Sequence, residues 1–316
     1  MIKNKELNTL RIGIDLGGTK IEGIVLRGEA EVAQRLRIAT PAMQYEPTIA
    51  AVAKLVRELE QAMGADGLPV GIGHPGAISP ASGRIKNANS TCLNDHFLKQ
   101  DLQQAIGRDI RMANDADCLA LSEAFDGAAA GARSAFAVIL GTGVGGGLVI
   151  DGKLLSGPNA IAGEWGHNPL PWPRPEWGEL PGPLCWHGLH GCIETWLSGT
   201  GLAADHTRVT GEKLAAEAIV SRAETGEEQA AATLARYEDR LARALAHVIN
   251  LIDPQVIVLG GGVSRVQRLY ERVPALWAQW VFSDRVATLL RPAQHGDSSG
   301  VLGAARLFPL PGLKAS

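Results

Sequence analysis

Cysteine and aromatic residues are scarce in this sequence, no stretch gathers charge of one sign, and no apolar run is long. Four cysteines in 316 residues exclude a disulfide-stapled scaffold, which needs many bridges in a short chain. The longest apolar runs, such as "AFAVIL" at Ala135–Leu140, fall far short of the ~20 residues that cross a bilayer. The opening "MIKNKELNTL" has no apolar signal-peptide core, which predicts a cytoplasmic chain with reduced thiols and no membrane partner. In that compartment "NST" at Asn89 is a glycosylation sequon without consequence. With 30 Lys and Arg against 33 Asp and Glu and no basic block, the electrostatic footprint of a nucleic-acid partner is missing.

What is present is a globular composition, 46% hydrophobic and 20% charged, in a chain long enough for about two domains. "LRIGIDLGG", "TKIEGIVLRG" and "EVAQRLRI" read as three strands with short connections, hence an antiparallel meander. "EPTIAAVAKLVRELEQAMG" has apolar residues at helical spacing and closes on Gly64. "PVGIGHPGAIS" is a strand and glycine turn, and "DIRMANDADCLALSEAFDGAAAGA" a short strand feeding a helix. The cycle then repeats. "SAFAVILGTGVGGGLVIDGKLLSG" is strand, turn, strand; "EDRLARALAHVINLIDP" is a helix stopped by Pro254; "QVIVLGGGVS" is a strand, and "DSSGVLGAARLF" a closing helix. This predicts an α/β fold built from a duplicated unit, with two lobes and a central ligand cleft. Residues 1–115 are expected to form the smaller lobe, joined by a closing helix within 298–316, and residues 116–297 the larger one.

Three glycine turns follow apolar strands: Asp15–Lys20 (with Gly17, Gly18 and Thr19), Gly141–Gly143 (with Thr142), and Gly260–Gly262 (with Gly261). Such turns let a backbone approach a ligand and aim N–H groups at an anion. One is usually only a turn; three in one chain favour a nucleotide. Gly-Gly-Thr-Lys is not the P-loop order. "GTGVGG" matches the dinucleotide pattern, but a strand follows it where that motif needs a helix. A phosphoryl-transfer site of strand–turn–strand type fits better. Asp15 then either holds Mg²⁺ or hydrogen-bonds its own turn. Asn114 and Asp115 sit where a strand meets a helix. They are either a helix cap, or a base (Asp115) taking a hydroxyl proton with Asn114 on a neighbouring hydroxyl. Asp117, two residues on, points elsewhere.

Together "IGIDLGGTK", "NDA", "GTGVGGG", "GEWGH", "GCIET" and "VIVLGGG" resemble the ROK family of repressors, open reading frames and sugar kinases, over nearly the whole chain. Within it, "KNANST-LN", "SEAFDGAAAGA", "GHNPLPW" and "GDSSGV-GAA" look most like bacterial fructokinases. The resemblance implies an actin-like ATPase fold and ATP-dependent, Mg²⁺-supported phosphorylation of a hexose 6-hydroxyl, fructose first. Glucokinase or N-acetylhexosamine kinase is the alternative, and a sugar-sensing regulator the outsider. It also implies Asp115 as base; Asn114, Glu164, His167 and Glu194 as sugar contacts, with Asn87 and Asn89 bordering the sugar; the three turns around the nucleotide; and a homodimer.

The run "GEWGHNPLPW" at Gly163–Trp172 joins a second expectation. The family's zinc site is similar to its histidine plus C-x-C-G-x-x-G-C, and here Cys185–Cys192 reads "CWHGLHGC", with His187 where the family has a cysteine. A His₂Cys₂ set of His167, Cys185, His187 and Cys192 suits structural Zn²⁺. His190 is out of register and a competitor. His167 has a second ring nitrogen for a sugar hydroxyl. The tryptophans of the proline-rich loop either pack or cover a surface.

Overall fold

The computed structural model describes residues 9–309, which divide into two compact units: unit 1 comprises residues 9–131, 149–162 and 297–309, unit 2 residues 132–148 and 163–296.

In unit 1, β1 (Leu10–Leu16), β2 (Lys20–Arg27) and β3 (Glu31–Ala39) form the antiparallel meander. After α1 (Tyr45–Met63), β4 (Val70–His74) joins β1 in parallel. A two-stranded ribbon follows, β5 (Ala77–Ile78) with β6 (Ile85–Lys86), then α2 (Leu98–Ile106). β7 (Ile110–Asn114) pairs with β4 in parallel and runs into α3 (Asp115–Asp126). The sheet order is β3-β2-β1-β4-β7. Ile12, Ile14, Val70 and Ile72 pack with Val52, Leu55, Val56 and Leu59 of α1, as the helical spacing requires. Gly64 ends α1 in the left-handed region at φ 59, donating to Gln61 O and Glu60 O; only glycine adopts that conformation without strain. The opposite sheet face is cut with glycines. A Cβ at Gly13 would lie 2.2 Å from Val301 O, and one at Gly71 1.8 Å from Ala304 O. The C-terminal helix Ser299–Arg306 therefore lies directly on the strands' backbone.

A second sheet repeats the plan. β8 (Ser134–Leu140), β9 (Val144–Ile150), β10 (Lys153–Leu154), β11 (Val256–Gly260) and β12 (Leu289–Pro292) are ordered β10-β9-β8-β11-β12. β11 is parallel to both β8 and β12, so the duplicated α/β unit is present. The helices are α4 (Glu194–Leu197), α5 (Gly199–Thr210), α6 (Ala216–Glu224), α7 (Glu228–Ile252) and α8 (Leu269–Leu276); the Ser299–Arg306 helix is α9. None among the described residues is long and apolar enough to cross a membrane.

Several expectations change. The division falls after Gly131 rather than after Asp115, because α3 packs on α9: a Cβ at Gly303 would stand 1.9 Å from Cys118 O. The closing helix is Ser299–Arg306, shorter than 298–316, and residues 310–316 lie outside the described residues. α7 starts at Glu228, ten residues before the apolar pattern suggests. Four of its charged residues, Glu238, Asp239, Arg240 and Arg243, are buried, with Arg240 and Arg243 1% and 0% exposed. Glu179 accepts from Arg240 Nε at 2.7 Å and Arg243 Nη2 at 2.9 Å. Asp239 accepts from Arg243 Nε at 2.7 Å, and Asp205 from Arg236 Nε at 2.9 Å. Arg243 Nη1 also donates to the carbonyls of Pro171 and Trp172, fastening the proline-rich segment to α7. Its tryptophans pack within the unit: Trp172 stacks on Trp280, and Arg174 lies over Trp177.

Removing one partner of a buried pair strands the other charge. Glu179→Ala is expected to cost about 3–5 kcal/mol in urea unfolding; a change within error would show that Asp205 and Asp239 suffice.

Candidate functional site

Unit 1 collects its polar residues at the carboxyl ends of β1, β4 and β7. Register puts Asp15 beside Gly73 and Gly73 beside Ala113, with His74 beside Asn114. Asn114 is the N-cap of α3. Its Oδ1 accepts from Ala116 N–H at 2.9 Å, and its Nδ2 donates to Gly76 O at 2.9 Å. The capping role read from sequence is thus filled, and the amide is engaged at both ends. Asp115 follows in the first turn, half-buried, with Oδ1 accepting from Ala116 N–H at 2.8 Å. A helix N-terminus favours negative charge at that place.

Asp15 is the second carboxylate. Burial first, then the charges of Asp115 and Glu22, raise its pKa to about 6 against the pull of Lys20. A Cβ at Gly300 would press within 3.3 Å of its carboxyl group, so α9 closes over this side chain. Cys118 lies buried nearby; burial, then Asp15, Asp117 and Asp115, push its thiol well up. Two close carboxylates in a partly dry setting do not ionise together easily.

The segment carrying Asn87 and Asn89 is held by a residue the motifs do not mark. Asn94 Oδ1 accepts from Ala88 N–H at 2.9 Å and its Nδ2 donates to Ala88 O at 3.1 Å. Asn87 takes φ 62, and Asn87 and Asn89 are exposed, without side-chain partners among the described residues. Gly76 packs on Ala88 and accepts from Asn114, which links this segment to the cap. The Asp15–Lys20 turn is closed by Gly17 N–H donating to Lys20 O at 3.1 Å. Thr40, also unmarked in sequence, latches it: Oγ1 donates to Gly17 O at 2.7 Å and N–H to Thr19 O at 3.1 Å. Gly18 and Thr19 are left exposed at the tip.

In unit 2 the other two glycine turns are neighbours. Gly260 pairs with Ile139 across β11 and β8, and Gly261, at φ 84, leaves no room for a Cβ against the Leu140 backbone. Gly141 N–H donates to Gly143 O at 3.0 Å, and Gly199 N–H to Gly141 O at 2.8 Å. Thr200 Oγ1 reaches Thr142 O at 3.0 Å. The start of α5 therefore braces the Gly141–Gly143 turn, a role hidden in sequence because "SGTG" reads as loop.

The run Gly163–Trp172 serves two purposes. Gly163 and Gly166 press on the backbone of Gly146 and Val144, and Trp165 is buried with its N–H donating to Gly145 O at 3.1 Å. These residues bolt the run to β9. Glu164 and His167 are half-buried, and the Glu164 carboxylate forms no hydrogen bond or ion pair among the described residues. Glu194 is fixed instead: Oε2 accepts from Val144 N–H at 2.9 Å and Oε1 from Trp186 Nε1 at 3.1 Å.

His167, Cys185, His187 and Cys192 come together, with one ligand atom of each within 4.8 Å of all the others. Backbone pairing causes it. Leu170 N–H donates to Gly191 O and Ile193 N–H to Asn168 O, both at 2.9 Å, while Gly188 at φ 93 folds Cys185 back on Leu189. Cys185 Sγ lies 3.7 Å from His167 Nδ1, and Cys192 Sγ 3.8 Å from His187 Nε2. Tetrahedral zinc with bonds of about 2.0–2.3 Å sets its ligand atoms roughly this far apart, so the donor set fits. Burial, then Cys185, push the Cys192 thiol up to about 11; a bound cation favours the thiolate of such a group. His190 does not compete: its Nδ1 turns to Gly182 O at 2.9 Å.

The ROK family model matches residues 11–310. The chain is 38% identical over 299 residues to an N-acetyl-D-glucosamine kinase of Photobacterium profundum, spanning 93% of this chain and 98% of that protein. Among solved structures it is similar to the ROK hexokinase from Thermus thermophilus, with TM-score 0.81 and 30% identity over 94% of this chain and 96% of that one. It is also similar to a ROK family glucokinase from Streptomyces griseus in complex with glucose and AMPPNP, with TM-score 0.77 and 28% identity over 94% and 98%. On the family match over residues 11–310, the curated relative and these solved structures, the chain belongs to the ROK family and has the actin-like ATPase fold.

Proposed function

We propose that this protein is an ATP-dependent sugar kinase whose substrate is N-acetyl-D-glucosamine, phosphorylated at the 6-hydroxyl. Fructose, the first expectation from the motifs, gives way to its alternative: N-acetyl-D-glucosamine kinases share 38% and 39% identity over almost their entire lengths. The observation that carries a kinase is the carboxylate at the start of α3. Asp115 stands in the first turn of that helix, with Oδ1 accepting from Ala116 N–H, and burial first, then the charge of Asp115, raises the pKa of Asp15. Asp115 is assigned as the base that takes the hydroxyl proton as phosphoryl transfer begins.

Sugar contacts are assigned to Asn89, Asn114, Glu164, His167 and Glu194. Phosphate contacts are assigned to the amides of the turns at Asp15–Lys20, Gly141–Gly143 and Gly260–Gly262, which are built to present N–H groups. Asp15 is the residue to contact Mg²⁺, which supplies charge neutralisation on the phosphates. The His167, Cys185, His187 and Cys192 set is assigned to a structural Zn²⁺. His167 presents Nδ1 to the cluster, leaving Nε2 for a sugar hydroxyl, and Glu194 follows Cys192 by two residues. The metal site therefore orients sugar contacts without taking part in chemistry.

Three outcomes are expected. Asp115→Asn retains folding and sugar binding but loses about 10²–10⁴-fold in kcat in an ADP-release assay; activity near wild type would remove Asp115 as base. In the same assay wild type should turn over N-acetyl-D-glucosamine with a higher kcat/KM than fructose, mannose or glucose, and the reverse order would overturn the substrate. Metal analysis should find one zinc per chain, lost in Cys192→Ser together with a lower Tm.

Asp15 adds a pH dependence. Its folded pKa is raised from the ordinary carboxylate value to about 6. Its contribution to stability is therefore full below about pH 4 and lost as pH rises through 6. In metal-free buffer, Asp15→Asn should gain Tm over wild type at pH 7–8 and show no gain near pH 4. A pH-independent difference would mean that Asp15 titrates normally.

A further inference from the structure

The hairpin Cys185–Cys192 and its approach expose four large apolar side chains: Leu180, Leu184, Trp186 and Leu189, at 58%, 64%, 61% and 62%. An apolar group this prominent is unusual on a soluble surface. Trp186 differs from the leucines in where it is held. Its Nε1 donates to Glu194 Oε1 at 3.1 Å. Its ring stands edge-on to His167, with centroids 5.2 Å apart at 88°. Both neighbours carry the sugar-contact assignments above, and the unpartnered Glu164 precedes His167 by three residues. The indole therefore borders one carboxylate and one imidazole, with its polar edge tied to Glu194 and much of its apolar surface exposed.

That pairing of surfaces suits a ligand bearing an apolar methyl beside hydroxyl groups. An aromatic ring fixed through its N–H offers contact area with little rotamer entropy to lose. We propose that Trp186 is a specificity-determining residue whose indole face receives the methyl of a 2-acetamido sugar, the N–H contact with Glu194 serving only to fix the ring. This rests on the reading of the protein as an N-acetylhexosamine kinase. A sugar with a plain 2-hydroxyl leaves the indole face uncovered and gains nothing from it.

The test is steady-state kinetics of wild type, Trp186→Ala and Trp186→Phe with N-acetyl-D-glucosamine and with glucose, with zinc content measured on each sample. One methyl-sized apolar contact is worth roughly 10–200-fold. Trp186→Ala should raise KM for N-acetyl-D-glucosamine about tenfold, leave its kcat within about threefold, and change KM for glucose by less than about threefold. Trp186→Phe keeps the apolar face and should restore most of the preference. If Trp186→Ala loses zinc or fails to fold, Trp186→Leu and Trp186→Phe decide: the preference should rank Trp, Phe, Leu. An unchanged ratio of the two KM values in zinc-replete variants of an active enzyme overturns the role of Trp186 alone. Wild type that turns over glucose but not N-acetyl-D-glucosamine overturns the substrate reading and the acetamido contact with it.

Discussion

Helix α9 rests on the first sheet with backbone against backbone, and the acidic end of unit 1 takes its geometry from that contact. Gly13 and Gly71 leave the space it fills, and Gly303 lets it meet α3 at Cys118. Once seated, α9 brings Gly300 over Asp15 and shuts water away from that carboxylate. The pKa of Asp15 follows from this burial before any neighbouring charge is counted. The two acids then sit in different surroundings, because one is covered by a helix and the other begins one. Environment, not residue type, separates them.

Unit 2 relies on a different restraint. Its proline-rich segment has little regular structure, yet it is fixed at one end by Glu179 and Arg243 against α7 and at the other by the pairing of Asn168–Leu170 with Gly191–Ile193. Between these anchors the His/Cys cluster forms, and Glu194, directly after it, is steered into contact with Val144. Buried charge pairs specify one arrangement of a segment that apolar packing alone would leave free.

Much of this was legible from local signals. Glycines at strand ends, Gly64 after a periodic helix, and the Asn114–Asp115 step from strand to helix each have a short-range physical cause, and each lies where the sequence places it. What escaped depends on partners distant in the chain. Arg240 and Arg243 look like solvated helix positions until Glu179 is brought to them. α5 begins with Gly-Thr-Gly and α8 contains Pro274, both poor helix signals, rescued by the Ser198 cap on Gly201 N–H and by burial of Leu269 and Val273. Asn94, Thr40 and Trp186 act through single contacts that leave no pattern. The choice of sugar belongs to this second class: the motifs point to phosphoryl transfer on a sugar, and none of them marks which sugar.

The two sheets share one strand order, so their strand ends can be matched: β1 with β8, β4 with β11, β7 with β12. The matched ends carry unlike chemistry. Asp15 closes on the tip of β1 and Asp115 follows β7, whereas Gly141 follows β8, Gly260 ends β11 and Pro292 ends β12. One copy carries carboxylates at these strand ends; the other carries glycine turns, with the Glu194 carboxylate accepting from Val144 N–H just beyond one of them. A duplicated scaffold thus sets acids at the ends of one sheet and open backbone at the ends of the other, and exchanging the two sets of turns would put repulsion where an anion needs donors.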